Sequence, residues 1–194
     1  MDGKQQIGLF FGTFNPIHVG HLVIANYIKV FGNLSEVWFV VTPQSPFKKD
    51  QRISDDRNRL EMVHLAIDKS PGYRVSDVEF NMPKPSYTID TVAYLKEKYY
   101  KHNFSLIMGA DNLQNLHKWK NSTELLRLCP ILVYPRPGFP NENPHIAGDI
   151  SVIDAPLMEI SSSFIRQSIA NYQDVRFFLP DKVWKFIEDT QFYR

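Results

Sequence analysis

A chain of 194 residues, 43% of them hydrophobic, can bury one sizeable core and is short for two independent domains. Its 22 basic and 21 acidic residues leave a net charge of +1, which excludes a broad positive field for gripping nucleic acid and points to a small, locally held anion. The single cysteine, Cys129, excludes an internal disulfide and fits a reducing cytoplasm, and no apolar segment approaches the ~20 residues that cross a bilayer.

The opening residues are polar, and residues 7–11 form an apolar run too short for a secretory signal, so the chain is expected to be soluble and intracellular. That run stops at Gly12, as a buried parallel strand does. Residues 19–31 read as a largely buried helix stopped by Gly32 and Asn33. A second strand over 37–41 ends at Thr42 and Pro43. A polar loop to Ser54, a helix over 55–69 and an extended stretch over 73–80 follow. Ser86 or Thr88 is expected to cap a helix running to about Tyr99. Further strands are predicted over 104–108, 131–134 and 150–153. Helices are predicted over 161–169 and 181–192, the last opened by Pro180 at a first-turn position. Strands alternating with helices predict an α/β fold: a doubly wound, mostly parallel sheet with helices on both faces. Such a sheet binds ligands beyond the carboxyl ends of its strands, so the strand-to-helix turns carry the chemistry.

The first of these turns holds Gly12, Thr13, Phe14, Asn15, Pro16, Ile17, His18, Val19, Gly20 and His21. Gly12 permits a sharp turn and a close approach to ligand. The helix after it offers unpaired N–H groups to an anion. His18 and His21, three apart, lie on one side of the first helical turn, and Gly20 leaves room for a phosphoryl group. Each imidazole can donate to phosphate oxygen and gain charge beside it. Taken alone, the pair is equally what a turn cap and a surface histidine would give. A zinc site is disfavoured: His64, His102, His117 and His145 have no ligand spacing, and Cys129 lies in an apolar segment. Near the C-terminus Ser161, Ser162 and Ser163 open a helix, with Arg166 one turn in. They supply a cap, hydroxyl donors and a forked cation, although a Ser-capped surface helix would look the same.

Phe14-x-Pro16-x-His18-x-Gly20-His21 resembles the HxGH signature of the nucleotidylyltransferase superfamily, at the turn where that family carries it. Ile160, Ser161, Ser162, Ser163 and Arg166 resemble its ISSxxxR element, with Ser163 where many members have Thr. The resemblance implies a Rossmann-like nucleotidylyltransferase domain over residues 1–194. It implies transfer of a nucleoside monophosphate from a triphosphate to a phosphate-bearing acceptor. ATP would be held by Gly12, Thr13, Phe14, His18, Gly20, His21, Ser161, Ser162, Ser163 and Arg166. His18, His21, Arg166 and Lys48 would act on the reacting phosphate; Phe47 stands where the family often has a histidine before that lysine.

Ser86-Tyr87-Thr88-Ile89-Asp90-Thr91 resembles the SYTxDT element of bacterial nicotinate-nucleotide adenylyltransferases. Gly109-Ala110-Asp111 with Trp119 resembles their GAD…W element, and Phe178-Leu179-Pro180 their closing helix start. By this resemblance Ser86, Tyr87, Thr88, Gly109, Asp111 and Trp119 bind nicotinate mononucleotide. Chemically, Asp111 can accept from ribose hydroxyls, Trp119 can stack on a pyridine ring, and the Tyr87–Thr88 turn can donate to a carboxylate. Asn15 for a common Asp, Phe11 for Gly, Lys84 for Arg and Lys120 for an aromatic residue depart from the pattern. The implied reaction joins ATP and nicotinate mononucleotide to give nicotinate adenine dinucleotide and pyrophosphate. Magnesium would be held by ATP phosphates and water, with no protein metal site. Nicotinamide mononucleotide or phosphopantetheine as acceptor, and a non-catalytic nucleotide-binding module, remain as alternatives. Neither nucleic acid nor membrane is an expected partner, and self-association into a homo-oligomer is left open.

Overall fold

The computed structural model describes residues 4–43, 55–140 and 147–194. The loop carrying Lys48 therefore lies outside the described residues. Six strands, β1 (Gln5–Gly12), β2 (Glu36–Val41), β3 (Tyr73–Ser76), β4 (His102–Gly109), β5 (Ile131–Tyr134) and β6 (Ile150–Val152), form one sheet in the order β3-β2-β1-β4-β5-β6. All five pairings are parallel. The chain winds outward from β1 to β3, then returns to the centre and winds out the other way from β4. The reversal leaves a crevice beyond the carboxyl ends of β1 and β4.

Helices α1 (Val19–Phe31), α2 (Asp56–Ala66), α6 (Ser162–Ala170) and α7 (Asp181–Thr190) cover one face. Helices α3 (Thr88–Lys98), α4 (Ala110–Gln114) and α5 (Ser122–Leu128) cover the other. Strand alternation divides the core between them: Ile7 and Leu9 of β1 join Val92 and Leu95 of α3, whereas Phe10 joins Ile24, Ala25 and Ile28 of α1. Among the described residues no helix is long and apolar enough to cross a membrane.

Strand β5 and helix α1 fall on the predicted spans, and β2, β4 and α6 lie within two residues at each end. The extended stretch after residue 73 is shorter than expected, because Val78–Asn81 coil into a 3-10 turn. Helix α3 is capped by neither Ser86 nor Thr88: Tyr87 holds the N-cap position and no side chain caps the helix. Pro180 sits at the N-cap of α7, one residue before the first turn. The sequence shows no period for α4 and α5, which have five and seven residues, too few for an apolar stripe to repeat.

Candidate active site

The turn after β1 is built around two aromatic placements. Phe14 adopts φ 45° and turns its ring back over Gly12, where a Cβ would lie 2.7 Å from the ring. Gly12 itself is not in the left-handed region, so its missing side chain accommodates the Phe14 ring rather than an unusual backbone angle. That ring meets His21 edge-on at 5.2 Å, and Phe10 meets it at 6.2 Å. His18, the N-cap of α1, is 4% exposed and stacks on His21 with ring centroids 3.8 Å apart. The His18 backbone N–H donates to His21 Nδ1 at 3.3 Å, which fixes the second ring. A Cβ at Gly20 would lie 3.0 Å from His18 Nδ1, so this glycine also makes room for an imidazole.

The Ser–Arg helix start is bonded directly to this turn. Arg166 Nη1 donates to Asn15 O at 2.8 Å, and Ser162 Oγ to Pro16 O at 2.9 Å. Ser161 caps α6 by accepting from Phe164 N at 3.2 Å, while Ser163 is exposed. Tyr193 OH donates to Asn15 Oδ1 at 2.7 Å and pins the turn from the C-terminus. The two predicted phosphate motifs thus form one continuous surface. One of Arg166's five N–H donors is used in holding the two together.

A cavity of about 310 Å³ opens beside them at the carboxyl edge of the sheet. Gly12 and Thr13 border it at the end of β1 and Gly109 at the end of β4; Ser86, Tyr87, Thr88 and Trp119 line its other wall. Trp119 is half-buried and packs against the α3–α5 core as well as lining the cavity. Thr88 and Ile89, the first residues of the uncapped α3, present that helix's unsatisfied N–H end to the same space. Asp111 stands in the first turn of α4, its Oδ1 3.5 Å from Arg136 Nε and without a hydrogen bond among the described residues.

Electrostatics separate the surroundings of His18 from bulk solvent. Burial, and secondarily the Arg136 guanidinium, hold His18 down at about 4, so the imidazole is neutral at pH 7. Its Nδ1 is buried and has no hydrogen-bond partner among the described residues. Burial likewise pushes the Tyr134 hydroxyl, at the end of β5, up to about 12.

Three charged residues at or beneath the site escaped the sequence reading. Arg136 follows β5 in a Pro-rich loop, where it looks like a solvated turn residue; its place after a strand end was the available signal. Arg59 is fully buried and donates to Thr13 O at 2.5 Å, Thr42 O at 2.9 Å and Pro43 O at 3.1 Å, and pairs with Asp56 at 2.6 Å. It ties the exits of β1 and β2 together beneath the site. Glu79, 1% exposed, lines the cavity from the 3-10 turn after β3. For Arg59 and Glu79 the sequence gives no signal, because charged residues read as surface.

A cytidylyltransferase-like family model matches residues 9–168. A Flavobacterium johnsoniae protein named probable nicotinate-nucleotide adenylyltransferase is 50% identical over 192 residues, covering 98% of this chain and all of that one. The nicotinate-nucleotide adenylyltransferase of Bacillus subtilis is 37% identical over 189 residues, covering 97% of this chain and 98% of its own. The chain belongs to the nicotinate-nucleotide adenylyltransferase family. Its fold is shared by the nicotinic acid mononucleotide adenylyltransferase of Plasmodium falciparum solved with NaAD (TM-score 0.82, 19% identity, 97% of both chains covered). The motif residues fall into two groups. The histidines, the serines and Arg166 lie together on one side of the β1 end. Ser86, Tyr87, Thr88, Gly109 and Trp119 gather on the other.

Proposed function

We infer that the chain transfers the adenylyl group of ATP to nicotinate mononucleotide, giving nicotinate adenine dinucleotide and pyrophosphate, a step of NAD synthesis. One observation carries this reading: a stacked histidine pair, His18 of it buried, at the end of β1 adjoins a cavity walled by the Ser86–Tyr87–Thr88 turn and Trp119. Relatives of the same length and family name support the choice of acceptor.

The acceptor's phosphate oxygen attacks the α-phosphorus of ATP; the new O–P bond forms as the bond to pyrophosphate breaks, with no covalent enzyme intermediate. Such a step needs positioning and charge stabilisation more than a protein nucleophile. We assign His18 to neutral hydrogen-bond donation at the α-phosphoryl oxygens, with His21 beside it. The positive charge comes from Arg166, from Arg136 and from Lys48 in the loop outside the described residues. Gly12, Thr13, Phe14 and Gly20 shape the ATP side, and the Ser161–Ser162–Ser163 helix start faces the triphosphate. The uncapped N-terminus of α3 at Thr88 suits the nicotinate carboxylate, Trp119 the pyridine ring, and Asp111 with Gly109 the ribose. Magnesium travels with ATP, bound by phosphate oxygens and water; among the described residues no three His, Cys, Asp or Glu side chains cluster to hold it. We assign the protein to the cytoplasm on its lone, buried Cys129.

Pyrophosphate release with ATP and magnesium, across nicotinate mononucleotide, nicotinamide mononucleotide and phosphopantetheine, tests the assignment. The acid mononucleotide is expected to turn over fastest. A preference for either other acceptor, or ATP binding without turnover, would overturn it.

A further inference from the structure

Two polar atoms on the cavity wall are buried without a hydrogen bond among the described residues: Glu79 Oε2 and Ser86 Oγ. The residues are 1% and 5% exposed and reach the cavity from different segments, the 3-10 turn after β3 and the approach to α3. Oε1 of the same carboxyl accepts the Thr91 hydroxyl at 2.8 Å, and Thr42 lies against the group. The side chain is therefore anchored by one oxygen, and the other keeps its bonding capacity unused. Buried polar groups are normally satisfied, so two exceptions on the wall of one cavity call for a ligand group that completes them.

We propose that Glu79 and Ser86 read the pyridine substituent of the acceptor and set the choice of acid over amide, an inference that rests on the acceptor assignment above. The hydrogen-bond inventory gives the rule. The Ser86 hydroxyl donates to either substituent. A protonated Glu79 adds a second donor, Oε2–H, and two donors suit a carboxylate. An ionised Glu79 sets an acceptor beside the Ser86 donor, which suits a carboxamide.

Burial favours the uncharged form and raises the Glu79 pKa above its ordinary value, with the Thr91 and Thr42 hydroxyls countering in part. The groups interacting with the carboxyl are neutral: Thr42 after β2 and Thr91 on α3, the latter also in contact with Met82 Sδ. The other titratable groups on the cavity wall are Tyr87, Tyr134, Lys118 and Lys120. Lys120 is paired with Asp90 at 2.8 Å, Lys118 donates to Asn115 at 2.9 Å, and Arg59 stands behind Thr42 on its carbonyl. A bound carboxylate brings a further negative charge that favours the protonated acid. Where Glu79 is ionised in the free enzyme, binding the acid mononucleotide thus takes up one proton at Glu79, whereas binding the amide takes up none.

The experiment measures kcat/KM for nicotinate and nicotinamide mononucleotides, with saturating ATP and magnesium, from about pH 5.5 to 9. Wild type, Glu79→Gln and Ser86→Ala are compared, with thermal melts confirming that each is folded. In wild type the acid-to-amide ratio is expected to fall as pH rises, approaching about tenfold per pH unit once Glu79 ionises in the free enzyme. Glu79→Gln retains an oxygen for Thr91 and places an N–H donor where Oε2 was, so its ratio should be independent of pH. Ser86→Ala should lower kcat/KM for the acid about tenfold while the ratio keeps its pH slope. A wild-type ratio flat with pH, or the same slope in Glu79→Gln, overturns the proposal. If Glu79→Gln does not fold, the wild-type slope and the Ser86→Ala loss decide. A wild-type enzyme that releases pyrophosphate with neither mononucleotide refutes the acceptor assignment instead.

Discussion

His18 should make the protein acid-sensitive by a calculable amount. The unfolded chain binds a proton at this imidazole near pH 6.5, but the folded protein refuses it until about pH 4. Between those values the unfolded state holds more protons, so stability rises with pH. The contribution is complete above pH 6.5 and is lost as pH falls toward 4. At about 1.4 kcal/mol per pH unit, the interval from 6.5 to about 4 amounts to about 3 kcal/mol. Roughly 2.5 kcal/mol of it is gone by about pH 4.5. Other groups titrate over the same range, so the measurement is a difference. Urea unfolding of wild type and His18→Asn at about pH 7.5 and 4.5 should show wild type losing about 2–3 kcal/mol more than the variant. A nitrogen-detected NMR titration should find the His18 ring neutral at pH 6. Equal acid losses in the two proteins would refute the reasoning, and with it the neutral-donor role of His18.

Removing Arg59 as Arg59→Leu should cost about 3–5 kcal/mol in urea unfolding, because three carbonyls and the Asp56 carboxylate lose their shared donor; a loss below about 1 kcal/mol would contradict its bracing role. Gly20→Ala should displace the His18 ring, since the new Cβ would lie 3.0–3.1 Å from it. Turnover should fall about tenfold to a hundredfold while helix propensity keeps the melting temperature close to wild type, and unchanged turnover would count against the packing argument. Trp119→Leu should raise KM for the mononucleotide about tenfold and leave KM for ATP nearly unchanged, which steady-state kinetics with each substrate varied will show.

Much of the fold was legible because its central elements are apolar runs with sharp stops. Strand β1 ends at Gly12, β4 at Gly109, and α1 runs unbroken from Val19 to Phe31. The placement of the two motifs was legible for a related reason: their spacing sets each at the start of a helix whatever packs around it. What the glycines do there was not legible. Gly12 and Gly20 read as space for ligand, yet each first accommodates a ring of the protein itself, Phe14 and His18. That depends on side-chain directions which a linear pattern does not encode. Arg59 and Glu79 are the clearest losses. In the polar run from Asp56 to Glu61 an arginine belongs by every local rule on the solvent face, and only the meeting of two strand exits buries it.

The buried groups without partners have a common location. Among the described residues they are His18 Nδ1, Glu79 Oε2, Ser86 Oγ, Asp111 Oδ1 and His102 Nδ1. The first four surround the carboxyl ends of β1 and β4, whereas His102 stands at the start of β4 and stacks on Tyr99. Each such group typically costs about 1–3 kcal/mol, so this edge of the sheet is where hydrogen-bond capacity is concentrated unmet. Arg59 works in the opposite sense: its satisfied bonds to the exits of β1 and β2 hold the unsatisfied edge in place. Rigidity below and unmet hydrogen-bond capacity above are what a transferase needs when it must orient two anions without a nucleophile of its own. The same reasoning implies that the contacts a substrate makes with these groups stabilise the protein by lowering its Kd. At one fixed concentration, nicotinate mononucleotide should raise the melting temperature of wild type more than that of Ser86→Ala, since only wild type gains a partner for that buried hydroxyl and so binds more tightly.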